Sequence, residues 1–218
     1  MTNLEARYIA VEGPIGVGKT SLSRRLAETL NAHLILEAPE GNPFLERFYQ
    51  DPKAHALATQ LFFLTQRLKQ LRGMESSPEE EICITDFVID KDDLFAQVTL
   101  DAEEYRLYRQ IREGLQRDVP KPDLVIYLQA PVEVLRQRIQ SRGRGYEKLI
   151  DRVYLQRLSD TYATFFYHYA DAPLLIVNAS EIDWVNRDAD FQQLLEFMQS
   201  VRVGRHFFNP LPAVDQPR

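Results

Sequence analysis

A glycine-rich segment near the amino terminus of the sequence reads Gly13-Pro14-Ile15-Gly16-Val17-Gly18-Lys19-Thr20. It follows the apolar run Tyr8-Ile9-Ala10-Val11 and precedes an amphipathic run that extends to Leu30, so the pattern predicts a strand, a turn and a helix. Its spacing matches the phosphate-binding loop G-x-x-x-x-G-K-[ST], in which glycines let backbone N–H groups surround a phosphate. We therefore predict that residues 13–20 bind the phosphates of ATP, with Lys19 at the β- and γ-phosphates and the Thr20 hydroxyl on Mg²⁺.

Two other interpretations of this segment are weaker. A glycine turn without a ligand would have to match four fixed positions by chance, which is expected in roughly one chain in a hundred of this length. A dinucleotide-binding loop would need glycine at position 15, where the sequence has Ile15.

The composition indicates one α/β domain over residues 1–218, with 44% hydrophobic residues to form a core. The formal net charge of −6 argues against a nucleic-acid-binding protein, which carries a basic surface. The sole cysteine, Cys83, fits a reducing compartment and is expected to be a buried strand thiol. The first residues are not those of a signal peptide, and no run of about 18 apolar residues occurs. We expect a cytoplasmic protein that binds no membrane.

Five short apolar runs predict a five-stranded parallel sheet with helices on both faces. These runs are Tyr8–Val11, His33–Leu36, Ile82–Asp86, Leu124–Leu128 and Leu174–Val177. A stripe of leucines predicts a long helix from about Ala54 to Arg72, and a segment rich in Tyr and Phe predicts another over Lys148–Tyr169. From Gly204 onward the sequence has no clear period, and we predict no element there.

Carboxylates follow two of the predicted strands. Glu37 lies just after the second strand and Asp86 ends the third, where open α/β sheets hold their ligands. Glu37 is therefore a candidate catalytic base, although a solvated loop glutamate would have the same local sequence. Asp86 is a candidate for the Mg²⁺ shell, because an apolar strand that ends in Asp beside a phosphate-binding loop serves this purpose. Asp also ends many strands that bind nothing.

The long helix carries two polar side chains on one face. Gln60 and Arg67 lie seven positions apart, which is two helical turns. Such a pair can hold the edge of a ligand, and the alternative is a solvated helix face.

A cluster of arginines follows the fourth predicted strand. It contains Arg136, Arg138, Arg142 and Arg144, and it closes with Tyr146-Glu147. Arginine suits bidentate phosphate contacts and the charge of a transition state. With glycines at positions 143 and 145, the segment is predicted to be an arginine-rich lid over the phosphates. The alternative is a solvated arginine turn.

Three segments beyond the phosphate-binding loop resemble the deoxynucleoside kinases of the deoxycytidine, deoxyguanosine and deoxyadenosine kinase type, nearest to bacterial members. The resemblance covers about residues 7–200. Glu37 and the run Asn42-Pro43-Phe44-Leu45 resemble the family segment that carries the catalytic base. Gln60–Arg67 resembles the helix that reads the nucleobase, and Arg142–Glu147 resembles the lid.

The resemblance implies a P-loop kinase that transfers the γ-phosphoryl of ATP to the 5′-hydroxyl of a deoxynucleoside, a step of nucleotide salvage. On the acceptor side, Glu37 would take the hydroxyl proton and Glu147 would meet the sugar. Gln60 would hydrogen-bond the base, and Arg67 would order the pocket.

On the phosphate side, the resemblance implies that Arg138, Arg142 and Arg144 close on the phosphates and that Asp86 lies in the Mg²⁺ shell. It also implies a homodimer and feedback inhibition by a deoxynucleoside triphosphate.

One stretch departs from the family pattern, which has Asp/Glu-Arg-Ser after the third strand. Here the residues are Asp86-Phe87-Val88, so the arginine that assists the base and binds phosphate is missing. Lys91 and a lid arginine are both candidates to replace it. The acidic partner expected for Arg67 also has two candidates, Asp90 and Asp92.

This departure leaves two rival functions. A nucleoside monophosphate kinase of the thymidylate kinase type would need extra basic residues near the third strand, where this chain has Phe87. A catalytically silent nucleotide-binding regulator would explain the missing arginine by the loss of chemistry. We prefer the deoxynucleoside kinase, because the resemblance covers most of the chain.

Overall fold

The computed structural model of the protein describes residues 5–74, 81–115, 119–184 and 187–209. Its centre is a parallel sheet in the order β2-β3-β1-β4-β5-β6. The strands are β1 Tyr8–Glu12, β2 His33–Ile35, β3 Cys83–Thr85, β4 Leu124–Gln129, β5 Leu174–Asn178 and β6 Arg205–Phe208. The central strand β1 pairs on one side with β3 and on the other with β4, with Ala10 opposite Thr85 and Val125. The chain order therefore reverses around β1, and ligands bind at this point of open α/β sheets.

Helices connect consecutive strands and cover both faces of the sheet. They are α1 Lys19–Leu30, α2 Leu45–Gln50, α3 Pro52–Met74, α4 Lys91–Thr99, α5 Ala102–Leu115, α6 Val132–Arg142, α7 Arg152–His168 and α8 Asp188–Met198. Short 3₁₀ turns cover Pro39–Gly41 and Gly145–Leu149. Among the residues described, no helix is long and apolar enough to cross a membrane.

Alternate side chains of β1 enter different cores. Ile9 and Val11 pack in a cluster with residues of α1 and α8, whereas Tyr8 and Ala10 pack in a cluster with residues of α7. A parallel strand that is buried on both faces reads as a continuous apolar run. The prediction of a parallel sheet with helices on both faces is confirmed.

The sheet has six strands, so the prediction of five was wrong. The sixth strand, β6, lies in the segment for which no element was predicted, and it pairs in parallel with β5. Its four residues are too few to show a period, and only Phe208 is buried. Pairing with β5, rather than local pattern, therefore defines this edge strand.

The helix predicted to begin at Lys148 begins at Arg152 instead. Residues Gly145–Leu149 form a 3₁₀ turn, and the carboxylate of Asp151 then accepts the backbone N–H of Tyr154 at 2.6 Å. This N-cap satisfies one unpaired helix donor and fixes where α7 starts.

Candidate active site

The phosphate-binding loop joins β1 to α1 at the point where the strand order reverses. Its glycines have positive φ angles of 150° at Gly13, 86° at Gly16 and 106° at Gly18. A Cβ atom at Gly13 would lie 2.5 Å from the carbonyl oxygen of Leu128, so the approach to β4 requires glycine. The Nζ of Lys19 donates to the carbonyl oxygen of Gly13 at 2.7 Å, which places the ammonium group across the loop.

Thr20, Asp86 and Glu37 are linked at the mouth of this loop. The Thr20 hydroxyl donates to Asp86 Oδ2 at 2.6 Å, and the backbone N–H of Glu37 donates to Asp86 Oδ1 at 2.7 Å. A hydroxyl and one carboxylate beside a phosphate loop form the oxygen donor set that Mg²⁺ takes, since this ion usually keeps waters and substrate phosphates as its other ligands. Thr20 and Asp86 therefore fit the ion that the sequence implied.

Two cations hold the Glu37 carboxylate. Arg67 bonds Glu37 Oε1, and Lys91 Nζ donates to Glu37 Oε2 at 2.9 Å. Burial raises the pKa of Glu37, but the charges and hydrogen bonds of Arg67 and Lys91 outweigh burial and hold this pKa well below its usual range. Glu37 is therefore ionised and accepts hydrogen bonds only.

Arg67 lies between two carboxylates and two aromatic rings. Its guanidinium bonds Glu37 on one side and Asp92 on the other, and Asp92 is fully buried. The guanidinium carbon is 5.0 Å from the centre of the Phe63 ring and 5.9 Å from that of Phe87. The acidic partner of Arg67 is thus Asp92. The other candidate, Asp90, pairs with Arg112 instead, at 3.1 Å.

Phe87, which stands where the family pattern has arginine, does not line the cavity that contains Glu37. Its side chain is fully buried in the cluster under the sheet, with Val88 and Leu94 among its members. Lys91, four residues later, is 3% exposed and reaches the Glu37 carboxylate from the first turn of α4. The segment thus places a positive charge beside Glu37 from position 91 and not from position 87.

A cavity of about 480 Å³ brings most of the predicted site residues together. Its lining includes Lys19, Thr20, Glu37, Gln60, Arg67, Asp86, Lys91, Arg142, Arg144 and Glu147. Gln60 is buried, and its amide nitrogen donates to Thr99 Oγ1 at 3.3 Å. The placement of Gln60 and Arg67 on one face of α3 thus directs both toward the same cavity.

Aromatic rings form much of the remaining cavity wall, a feature that the sequence analysis did not assign. They come from Phe48, Tyr49, Phe63, Phe95, Tyr146 and Tyr154. Tyr49 and Tyr146 are stacked, with ring centres 5.8 Å apart and planes within 12° of each other. These two residues are far apart in sequence, so no local pattern announces the pair. Flat apolar walls with a few polar groups suit a planar ring such as a nucleobase.

Two arginines of the predicted lid meet one buried carboxylate. Arg142 donates to both oxygens of Glu147, with distances of 3.0 and 2.6 Å, and Arg144 lies 3.8 Å from the same group. Arg144 also pairs with Glu40 at 2.7 Å. The helix α6 ends at Arg142, followed by Gly143 with a left-handed φ of 71°. The arginines therefore stand on a turn at the rim of the cavity.

Arg138 is placed apart from this group. Its guanidinium donates to the backbone carbonyl oxygens of Val17, Ala179 and Ser180, at 3.2, 2.8 and 3.3 Å. It lines a second cavity, of about 550 Å³, which shares Lys19 and Thr20 with the first. The ring of Trp184 also lines this cavity, with Nε1 3.5 Å from the Cβ position of Gly18. Arg138 thus ties the loop to the segment after β5.

The charge state of Lys19 depends on its neighbours. Burial and then the positive charge of Lys91 lower the pKa of Lys19 to about 8. Glu12, Glu37 and Asp86 oppose this effect, because negative charges favour the ammonium form. A bound phosphate would act in the same direction as these carboxylates.

Comparison with known proteins identifies related sequences. The sequence model described as deoxynucleoside kinase matches residues 9–202. A deoxyguanosine kinase of Bacillus subtilis is 33% identical, and the alignment covers 91% of this chain and 99% of that protein. A deoxyadenosine kinase of Lactobacillus acidophilus is 30% identical, with 90% and 97% covered.

The fold is similar to that of a deoxyadenosine kinase from M. mycoides solved with bound dATP. The TM-score is 0.78 at 28% identity, over 88% of this chain and 98% of that chain. Because the family match extends over most of the chain and includes the phosphate-binding loop, Glu37 and the arginine segment, the chain belongs to the deoxynucleoside kinase family.

Proposed function

We propose that this protein transfers the γ-phosphoryl group of ATP to the 5′-hydroxyl of a deoxynucleoside and so produces a deoxynucleoside monophosphate for nucleotide salvage. The observation that carries the proposal is the link between donor and acceptor groups. The Asp86 carboxylate accepts hydrogen bonds from both the Thr20 hydroxyl and the backbone N–H of Glu37. This single side chain therefore bridges the phosphate-binding loop and the candidate base. Family membership supports the reaction, and it does not favour a monophosphate kinase or a silent regulator.

On the donor side, backbone N–H groups of the loop after Pro14 bind the phosphates and Lys19 reaches the β- and γ-phosphates. Thr20 and Asp86 would hold Mg²⁺, which neutralises charge on the phosphates when it is bound. The cavity lined by Arg138 and Trp184 lies beside the same loop and takes the nucleoside half of ATP.

On the acceptor side, Glu37 orients the 5′-hydroxyl and takes its proton. The pKa of Glu37 lies well below its usual range, so early proton removal is unfavourable. The transition state of phosphoryl transfer is loose, and it needs an oriented hydroxyl more than a strong base. The hydroxyl therefore binds Glu37 first, and its proton moves late, when the new P–O bond makes that oxygen strongly acidic.

Lys91 supplies the positive charge that the missing arginine would have given. Its Nζ lies 2.9 Å from the Glu37 carboxylate, and both Lys91 and Lys19 line the same cavity, so its charge is available where the acceptor and the donor phosphates would meet. A lid arginine is a weaker candidate, because Arg142 and Arg144 both contact Glu147 at the rim. We assign Lys91 to the oxygen atoms that gain charge in the transition state.

Gln60 hydrogen-bonds the edge of the nucleobase while the aromatic walls hold its faces, and Arg67 orders this pocket through Glu37 and Asp92. We propose a purine deoxynucleoside as the acceptor, since the two relatives above are named for deoxyguanosine and deoxyadenosine.

Arg142 and Arg144 form a lid that closes on the phosphates when these replace Glu147 as their partner, which frees Glu147 for the sugar. Arg138 contributes from the far side by holding the loop itself. One domain thus carries both substrates, and we propose a cytoplasmic homodimer with feedback by a deoxynucleoside triphosphate, on the family resemblance.

A steady-state acceptor screen tests the proposal. Mg-ATP is offered with the four deoxynucleosides, the ribonucleosides and the monophosphates, using wild type, Glu37→Gln and the exposed control Glu46→Gln. We expect transfer to purine deoxynucleosides, a kcat about 10²–10⁴-fold lower in Glu37→Gln, and full activity in the control. Calorimetry should give the same ATP affinity for all three proteins. Transfer only to monophosphates, or ATP binding without any transfer, would contradict the proposed function.

A further inference from the structure

The last residue of the central strand is a carboxylate that the sequence analysis did not single out. Glu12 ends β1 and is fully buried, although the rest of the strand is apolar or aromatic. A buried carboxylate without hydrogen-bond donors would destabilise the folded state strongly, so its donors must be identified.

Three donors satisfy this carboxylate. Glu12 Oε1 accepts the backbone N–H of Gly13 at 2.8 Å and the hydroxyl of Tyr162 at 3.0 Å. Glu12 Oε2 accepts the backbone N–H of Val88 at 2.9 Å. Both oxygens act as acceptors, which is the hydrogen-bonding capacity of an ionised carboxylate.

The two backbone donors belong to different halves of the site. Gly13 opens the phosphate-binding loop, and its carbonyl oxygen accepts Lys19 Nζ. Val88 lies two residues after Asp86, which holds Thr20 and the backbone of Glu37. One buried side chain therefore connects the start of the donor loop to the segment that carries the link to the acceptor.

We infer that Glu12 is a positioning residue that fixes the distance between the phosphate-binding loop and the Asp86 segment; the inference rests on the proposed function. An apolar side chain would fill the same place in the core without the cost of burying a charge. A carboxylate at this position gives directed bonds to two backbone N–H groups, and a misplacement of about 1 Å can reduce a rate by about 10²-fold. Glu12 acts through these loops and touches no substrate.

Glu12→Gln tests the inference with little change of volume. Its amide nitrogen would face one of the two backbone N–H donors, so one bond is lost and two donors oppose each other. We expect kcat to fall about 10²-fold while the KM for the deoxynucleoside changes less than about threefold. We also expect faster amide hydrogen exchange in the peptide that contains Val88.

Asp123→Asn is the control, because Asp123 lies just before β4 and its exposed carboxylate binds backbone at the opposite end of β1 from Glu12. The Asp123 carboxylate accepts the backbone N–H groups of Arg7 and Tyr8, both at 2.8 Å, far from the phosphate-binding loop. The same exchange of carboxylate for amide should lower the melting temperature and leave kcat unchanged. Equal losses of kcat in the two variants, or a wild-type kcat in Glu12→Gln, would overturn the inference.

Glu12→Asp guards against a variant that does not fold. It keeps the charge but is one methylene shorter, so it can reach Gly13 and not Val88. We expect a kcat loss of about tenfold. A wild-type kcat in this variant, or failure of both Glu12 variants to fold, would make the role purely structural and overturn the inference.

The two proposals fail separately. A wild-type protein that phosphorylates no deoxynucleoside contradicts the proposed function, and ATP affinity measured by calorimetry then decides the role of Glu12. A weaker ATP affinity in Glu12→Gln but not in Asp123→Asn supports the positioning role, and equal affinities overturn it.

Discussion

The phosphate-binding loop offers backbone N–H groups from the residues after Pro14, whereas the acceptor side of the cavity offers charged side chains from separate elements. On the donor side, glycines and the start of α1 set the geometry, and the Nζ of Lys19 donates to the carbonyl oxygen of Gly13 in the same loop. On the acceptor side, Glu37 from the segment after β2, Arg67 from α3 and Lys91 from α4 hold one another. The loop takes its shape mainly from one short segment, but the network of buried charges needs side chains from three separate elements.

The largest expected effect comes from restoring the family's arginine. Phe87 is fully buried in an apolar cluster and its ring lies near Arg67. Phe87→Arg would lose this packing and bury a second cation, so we expect the free energy of unfolding to fall by roughly 3–5 kcal/mol. Urea denaturation followed by circular dichroism measures this loss, and Phe87→Leu is the milder control. An arginine variant as stable as wild type would show that the acceptor side accommodates a further buried cation, contrary to the comparison above.

The next effect separates the charge of Lys91 from its packing. Lys91→Met keeps an unbranched side chain near the Phe95 ring but removes the cation from Glu37. We expect kcat to fall about 10²-fold, as for the loss of other donors to a developing charge. The exposed Lys69→Met on α3 is the matched control and should keep full activity. A wild-type kcat in Lys91→Met would contradict the role of Lys91 and favour a lid arginine as the replacement for the missing arginine.

The smallest effect concerns coupling between the two regions. With its pKa lowered from 10.5 to about 8, Lys19 loses its charge above that pH in the free protein. Affinity for ATP should therefore weaken by up to about tenfold per pH unit above pH 8, since a neutral amine binds phosphate poorly. Calorimetry from pH 7 to about pH 10 measures this change.

The free protein should respond with the opposite sign. Protonated Lys19 costs stability below its folded pKa, and this cost disappears as pH rises from about 8 toward 10.5. In Lys91→Met, the weakening of ATP affinity should begin at a higher pH, because one of the two causes of the lowered pKa is gone. An ATP affinity that stays constant up to about pH 9.5 would contradict the predicted electrostatic coupling between Lys91 and Lys19.

The donor loop and five of the strands could be predicted because their signals lie within single short segments. Gly13, Lys19 and Thr20 belong to one recognisable motif, and each of the five strands is visible as a short apolar run. The sixth strand could not be predicted, since Arg205–Phe208 is defined by its pairing with β5. The start of α7 was misplaced because the apolar residues Leu149 and Ile150 directly precede Asp151, so the helical pattern in the sequence begins before the turn ends.

The acceptor side was predicted as a set of residues but not as an arrangement. Lys91 was one of two candidates for the missing charge, and only its contact with Glu37 favours it over the lid. Arg138 belongs to the same arginine-rich segment as Arg142, yet it bonds backbone carbonyl oxygens across the phosphate-binding loop. Glu12 left only a weak signal, an acid at the end of an apolar strand. Side chains that act across long sequence separations become assignable once the fold is known.

The tryptophan beside the phosphate-binding loop gives only one half of the site a tryptophan fluorescence signal. Trp184 is the chain's single tryptophan, and its indole ring lies against Gly18 in the cavity assigned to ATP. Its emission therefore reports on ATP binding, while the aromatic lining of the acceptor cavity consists of Tyr and Phe. The unlabelled protein carries an intrinsic fluorophore for one substrate alone, so the order in which the two substrates bind can be followed in a stopped-flow experiment.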